Sequence, residues 1–253
     1  MANLVGLAVI LGIIQGLTEF FPISSSGHLV ILQSFFPQIQ AQAVAFDLIL
    51  HLGTASALII YFFKDFKQIF TSKKIIFNLV LATALTVILV LPFNNLVESS
   101  FRSPKFAGLM LIVTGLILYL ASRKTNNTDE EINYKKSALI GVGQALAVLP
   151  GLSRSGVTIS FGIFSGLKPK EAIKFSFLLA IPTILGASLL EIKELENLSR
   201  VLTLPSLFGF FTSLICGLIA IKWLVKILIL NQKNLIYFAI YCFTLGILTI
   251  ILI

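Results

Sequence analysis

Five side chains able to carry charge stand inside otherwise apolar stretches: Glu19, His28, Asp47, His51 and Arg154. Hydroxyls and glycines crowd two of these places, with Ser24, Ser25, Ser26 and Gly27 beside His28, and Ser153, Ser155, Gly156 and Thr158 around Arg154. One fixed cation among many hydroxyls describes an anion site, because a guanidinium offers phosphate a planar fork of donors. Gly-containing turns at helix N-termini add backbone N–H groups aimed at the same anion. Gln15 and Glu19 are four apart and stack on one face of a helix. Their oxygens could hold a hard divalent cation such as Mg²⁺ or Ca²⁺. A Ser beside a His could act as nucleophile with its base. Taken together, these parts favour phosphoryl transfer, where positioning and charge neutralisation dominate. Asp47 and His51, in FDLILHLGT, repeat the four-residue spacing further along.

The segments that must position these residues resemble each other. One reads GIIQGLTEFFPISSSGHLVI from Gly12 and the other GVGQALAVLPGLSRSGVTIS from Gly141. Each has a Gln (Gln15, Gln144), a Pro six or seven residues on, then Ser-x-Ser-Gly and a short apolar arm. Four features kept in order make an internal repeat. The arms are too short to span comfortably, so residues 4–36 and 137–167 read as re-entrant helical hairpins. Non-helical tips of this kind are tolerated at membrane depth only where they are buried in protein or line a wet cavity.

Composition supplies the membrane. Of 253 residues, 57 % are apolar and 12 % charged, whereas a soluble domain carries roughly 25 % charged residues. A spanning helix needs about 20 mostly apolar residues. Runs at 46–63, 75–93, 106–121, 175–190, 206–230 and 235–253 come close, the third and fourth needing flanking residues. The expected fold is therefore an all-α polytopic membrane protein. Each half is one re-entrant hairpin plus three transmembrane helices: a first repeat over 1–121, a cytoplasmic linker at 122–136 and a second repeat over 137–253. Three spans between the hairpins make the repeat inverted, which places a site near the midplane where the broken helices meet.

Loop charge tests that parity. On the side from which the first hairpin enters, loops 94–105 and 191–205 hold four cations: Arg102, Lys105, Lys193 and Arg200. The opposite side holds fourteen, and Arg154 in a tip completes the nineteen. The positive-inside rule makes the lysine-rich side cytoplasmic and puts both termini outside. The net charge of +8 thus reads as membrane orientation and not as a nucleic-acid surface. The N-terminus lacks the basic start and cleavage site of a signal peptide. Cys216 and Cys242 have no ligand-like spacing, GVGQAL lacks the third glycine of a dinucleotide fingerprint, and Trp223 reads as an interfacial anchor.

Plainer roles compete. Ser and Gly can simply let helices pack closely, Asp47 could cap its helix, His51 could be a structural hydrogen bonder, and Glu19 with Arg154 could be a purely structural pair. At the level of function, an inverted-repeat transporter of an anionic lipid could use the same Arg and serines for binding alone. A structural scaffold leaves the paired polar tips unexplained.

At these residues the chain resembles the bacterial undecaprenyl-diphosphate phosphatase family linked to bacitracin resistance. The family's first motif appears as Gln15-Gly-Leu-Thr-Glu19 with Pro22-Ile-Ser-Ser-Ser-Gly-His28, and its second as Pro150 through Thr158. The resemblance covers essentially the whole chain. It implies hydrolysis of undecaprenyl diphosphate to undecaprenyl phosphate, recycling a lipid carrier for the cell wall. It also implies dependence on a divalent metal and a site reached from the extracytoplasmic face. By this carry-over Arg154, Ser153, Ser155, Gly156 and Thr158 grip the diphosphate, with Ser24, Ser26, Gly27 and Gln144 as further substrate contacts. Ser25 is the expected nucleophile and Ser24 a near alternative. His28 is the expected general base and acid, or positions the leaving phosphate. Glu19 with Gln15 binds metal or orients water, and Asp47 and His51 stand behind them. Direct attack by water remains open, as does a homodimer.

Overall fold

The computed structural model describes residues 2–35, 43–64, 69, 71–93, 103–124, 131–194 and 203–253. Among them, every regular element is helical. In chain order these are α1 (Ala2–Phe20), α2 (Ser25–Ser34), α3 (Ala43–Tyr61), α4 (Lys73–Val90), α5 (Pro104–Arg123), α6 (Tyr134–Leu146), α7 (Arg154–Phe164), α8 (Pro169–Glu194), α9 (Leu204–Leu230) and α10 (Leu235–Leu252). Helix starts follow ordinary capping chemistry. Ser72, Ser103, Asn133 and Thr203 each accept a bond from the N–H three residues on, and a proline opens α5, where its missing N–H costs nothing.

Five stretches are long and apolar enough to cross a bilayer: Lys73–Phe93, Pro104–Arg123, Pro169–Leu190, Leu204–Leu230 and Gln232–Leu252. They match five of the six expected spans, and the two expected to need flanking residues obtain them. The sixth falls on α3, whose apolar part, Phe46–Tyr61, is shorter, as is Leu4–Phe20 of α1. Helix α5 runs into the expected linker 122–136 and α6 begins inside it. Residues 125–130 of that linker, residues 94–102 and 195–202 of the two expected outer loops, and the end of the first hairpin at Phe36 lie outside the described residues.

The sidedness of the side chains inverts that of a soluble protein. Phe77, Val80, Phe211, Ile219 and Tyr237 are exposed, while Gln15, Gln144, Thr54, Thr114, Ser137 and Ser213 are buried. Hydrocarbon outside and polar groups inside is the arrangement a lipid solvent demands. Helix pairs meet through small residues, as expected where packing rather than water drives association. At the α5–α10 contact a Cβ on Gly246 would lie 2.6 Å from the Gly108 carbonyl oxygen. Helix α1 packs on α9 and α4 on α6, while α5 pairs with α10 and α3 with α8. A core of Phe20, Phe62 and Phe177 fills the centre, with Phe20 and Phe177 edge to face at 5.6 Å.

Candidate functional site

Both broken segments are helix–turn–helix, and their second helices begin in the same way. Ser24 caps α2 by accepting from Gly27 N at 3.2 Å, and Ser153 caps α7 by accepting from Gly156 N at 3.1 Å. Each cap also meets the serine two residues on: Ser24 with Ser26 at 3.3 Å, Ser153 with Ser155 at 3.2 Å. The repeat seen in letters is thus a repeat in hydrogen bonds. The turns differ in how they reach the cap. In the second, Gly151 adopts φ +92°, and a Cβ there would lie 2.1 Å from the Ala107 carbonyl oxygen, so only glycine fits. In the first, Ser24 itself takes φ 69° and is the one non-glycine residue with positive φ among those described.

The tips touch. A Cβ on Gly27 would lie 2.9 Å from Gly151 Cα, and Ser155 Oγ donates to the Phe21 carbonyl at 3.2 Å. Thr114 on α5 holds the second tip from behind, donating to the Gly151 carbonyl at 2.8 Å and accepting from Ser153 N at 3.0 Å.

At the junction, the two first helical residues, Ser25 of α2 and Arg154 of α7, converge on one carboxylate. Ser25 Oγ donates to Glu19 Oε2 at 2.5 Å and Arg154 Nη2 donates to Glu19 Oε1 at 2.5 Å. Gln15 Nε2 donates to Glu19 Oε2 at 3.0 Å, as the four-residue spacing required. His51 Nε2 lies 3.9 Å from the same oxygen, and its Nδ1 is 2.7 Å from the Asp47 carbonyl one turn back. Arg154 Nη1 is buried and has no hydrogen-bond partner among the described residues.

Glu19, Ser25, His51 and Arg154 border a cavity of about 170 Å³. The first tip contributes Glu19, Ser24, Ser25 and Ser26, α3 contributes His51, and the second segment contributes Gln144, Ala147, Val148, Leu152, Ser153 and Arg154. Helix α8 supplies the remaining wall with Thr183, Ile184, Ala187 and Ser188. The lining therefore mixes polar groups with the apolar side chains Ala147, Val148, Leu152, Ile184 and Ala187. The first N–H groups of α2 and α7 have no acceptor within their own helices and give this end a partial positive charge.

The structure does not bring every expected residue to the cavity. His28 is not among its lining residues. Its Nδ1 is 2.7 Å from the Ser24 carbonyl, its Nε2 is 2.7 Å from the Tyr241 hydroxyl, and its ring lies parallel to that of Tyr241 at 5.7 Å. Both ring nitrogens are engaged away from Ser25, and the role of partner to that serine falls to Glu19. Thr158 is tied to Ser176 at 2.6 Å and to the Arg154 carbonyl at 2.8 Å. It braces α7 against α8. Asp47 accepts from Gln33 Nε2 at 3.0 Å, and Gly27, Ser155 and Gly156 form the tip contact. Conversely, Thr183, Ser188 and Tyr241 went unnoticed in the sequence. The only hint of the α8 wall was a Pro-Thr and a Ser interrupting the apolar run 175–190.

Among the described residues there is no cluster of three His, Cys, Asp or Glu side chains able to bind a metal, and both cysteines are free. A cation here would rely on Glu19, on neutral oxygens and on its own ligand. The donors fit that case. Gln15 Oε1 is buried without a partner on the residue bonded to Glu19, and Mg²⁺ commonly takes one or two carboxylates plus substrate phosphates.

Fold and site together define a polytopic α-helical membrane protein with an arginine–carboxylate–serine cluster built from two broken helices. The family model described as bacitracin resistance protein BacA matches residues 8–248, and the chain belongs to that family. It is 40 % identical to undecaprenyl-diphosphatase 1 of Shouchella clausii, covering 96 % of this chain and 95 % of that protein. It is 38 % identical to the undecaprenyl-diphosphatase of Methanobrevibacter smithii, over 95 % and 94 % of the two chains. The match to that of Carboxydothermus hydrogenoformans is 38 %, over 97 % and 96 %. The transporter alternative draws no support from these matches.

Proposed function

We propose that the protein is an integral membrane phosphatase that hydrolyses undecaprenyl diphosphate to undecaprenyl phosphate and inorganic phosphate, returning a lipid carrier to cell-wall synthesis and conferring bacitracin resistance. The observation that carries this reading is the convergence of Ser25 and Arg154 on Glu19 in one cavity. A purely structural ion pair has no need of a hydroxyl on its second oxygen, nor of a buried guanidinium nitrogen left open.

The chemistry follows from the geometry. The terminal phosphate takes the guanidinium fork through the open Nη1 and the N–H groups at the starts of α2 and α7. Ser25 Oγ attacks the terminal phosphorus as its proton passes to Glu19 Oε2. The bond to the bridging oxygen breaks, and undecaprenyl phosphate leaves. Water then opens the phosphoserine, releasing phosphate and restoring the hydroxyl. Ser24 serves the backbone, with its Oγ held by Gly27 N, which favours Ser25 as nucleophile. Arg154 stabilises the charge that develops on the phosphoryl oxygens. A divalent cation held by Glu19 and Gln15 would neutralise diphosphate charge during this step. The apolar lining residues Leu152, Ile184 and Ala187 suit the start of a prenyl chain.

The topology reading is an inverted repeat with both termini and the cavity mouth on the extracytoplasmic side. Three things support it: the matched caps of α2 and α7, the pairing of α1 with α9 beside that of α4 with α6, and the lysine-rich loops. The direct test uses purified protein in detergent, which has no second compartment. Phosphate release from undecaprenyl diphosphate, restored to metal-stripped protein by Mg²⁺ or Ca²⁺, is the expected result. Substrate binding without release would overturn the assignment.

A further inference from the structure

Two glutamines occupy equivalent places in the repeat, and the hydrogen bonds around them fix which way each amide points. Gln15 faces the Glu19 carboxylate, which can only accept, so Gln15 must present its NH₂. Gln144 lies 3.0 Å from Thr86 Oγ1 and 3.0 Å from Thr183 Oγ1. Each of those hydroxyls has one proton, and each already donates it to a backbone carbonyl: Thr86 to Ala82 at 2.9 Å, Thr183 to Leu179 at 2.7 Å. Toward Gln144 they can only accept, so Gln144 also presents its NH₂. The consequence is the same in both halves. Gln144 is 1 % exposed and Gln15 is fully buried, and each is left with an Oε1 that has no partner among the described residues. A buried acceptor without a donor is costly. Gln144 lines the cavity that holds Glu19 and Gln15 is bonded to Glu19, so a cation bound beside that carboxylate would supply the missing partner to both.

We infer that Gln144 Oε1 is a ligand of the divalent cation, joining Gln15 Oε1 and Glu19 in an oxygen set drawn from both halves of the chain. In the second half the residue equivalent to Glu19 is Val148, so the set carries a single carboxylate. Weak charge and neutral oxygens suit a hard cation that arrives with an anionic substrate and keeps some water. Cation and diphosphate then raise each other's affinity, as linked ligands must. Thr86 and Thr183 set the direction of the Gln144 oxygen by holding its nitrogen, the role outer groups usually play around a metal. This inference rests on the phosphatase reading for the identity of the anion, but not for the existence of the site.

The test is binding of Mn²⁺ to purified protein in detergent, followed by electron paramagnetic resonance, with and without methylenediphosphonate as a non-hydrolysable head group. Wild type should bind one Mn²⁺ more tightly when the diphosphonate is present. Gln144→Leu should weaken that binding by about 10- to 100-fold, the range seen when metal-site partners are removed. Gln144→Glu should tighten it, because ligand charge tunes affinity. Gln144→His should give a new ¹⁴N coupling on the bound Mn²⁺. Affinity unchanged within twofold in the Leu and Glu variants, with no new nitrogen coupling in the His variant, overturns the inference even where wild type releases phosphate. Loss of phosphate release in wild type with Gln144-dependent Mn²⁺ binding would instead remove the phosphatase reading and leave the cation site standing.

Discussion

Replacing Arg154 by Lys separates charge from shape at the centre of the cavity. In the resting protein one guanidinium nitrogen contacts Glu19 at 2.5 Å while the other is buried and open. The fork can therefore hold the carboxylate and a phosphoryl oxygen at once. An ammonium is a single point of charge on a flexible stem. It can pair with Glu19 or grip the phosphate, but it cannot span both. The loss amounts to one charge-assisted hydrogen bond, about 1.5–3 kcal/mol. Realised in the transition state, that corresponds to a fall of about 10- to 150-fold in kcat/KM, at roughly 1.4 kcal/mol per tenfold. Folding should be affected far less, because Glu19 keeps a cationic partner. Arg154→Ala leaves that buried carboxylate with only Ser25, Gln15 and the more distant His51, and should cost up to about 3–5 kcal/mol of stability. The assay is phosphate release from a prenyl diphosphate in detergent, with thermal melting of the same preparations. If Arg154→Lys turned over within threefold of wild type, the two-handed clamp would be wrong. If it melted as early as Arg154→Ala, the pair would matter for structure alone.

Ser25→Ala should abolish phosphate release and any phosphoenzyme trapped by acid quench. Ser24→Ala removes a helix cap worth about 1 kcal/mol and should keep measurable turnover; the reverse ranking would move the nucleophile to Ser24. Gly27→Ala forces a Cβ to within 2.9 Å of Gly151 Cα. It should part the tips and lower activity about 10²-fold, the usual penalty for misplacing reacting groups by about an ångström, while the protein still inserts in the membrane. For His28 the pairing with Tyr241 predicts coupling. His28→Ala and Tyr241→Phe should lower kcat/KM by similar factors, and the double variant should be little worse than either. A His28 that acted as the base would instead lose about 10²- to 10⁴-fold on its own, with Tyr241→Phe nearly silent.

The parts of the site that were legible beforehand are those where local sequence dictates geometry. The Gln15–Glu19 contact follows from helical spacing, and the two capped tips follow from Ser-x-Ser-Gly after a proline. That Arg154 meets Glu19 was a deduction from the repeat, since nothing local relates residues 135 positions apart. What could not be read was set by packing between distant helices. Spacing alone cannot say which of two histidines faces the cavity. His28 lies one turn into α2, where the helix rotates it toward Tyr241 on α10. His51 is carried to Glu19 by the docking of α3 beside α1. The wall of Thr183, Ile184, Ala187 and Ser188 arises because α8 crosses the second segment, and a Ser or Thr in an apolar span gives no sign of which neighbour it will meet.

The same distinction explains why the site needs both halves. A tip of non-helical backbone in a bilayer must have its polar groups satisfied by protein; the first tip obtains part of that from the second, through Ser155 on the Phe21 carbonyl, and the second from Thr114 of α5, on the Gly151 carbonyl and Ser153 N. Docking the tips thus contributes to backbone solvation before any chemistry is considered. Once they are docked, their first helical residues face each other across Glu19. The two copies then diverge by single substitutions on a shared frame: Ser25 stands where the other half has Arg154, and Glu19 where it has Val148. On the proposed mechanism this difference supplies the nucleophile, Ser25, from one segment and the cation, Arg154, from the other, which is what attack on an anionic phosphorus requires.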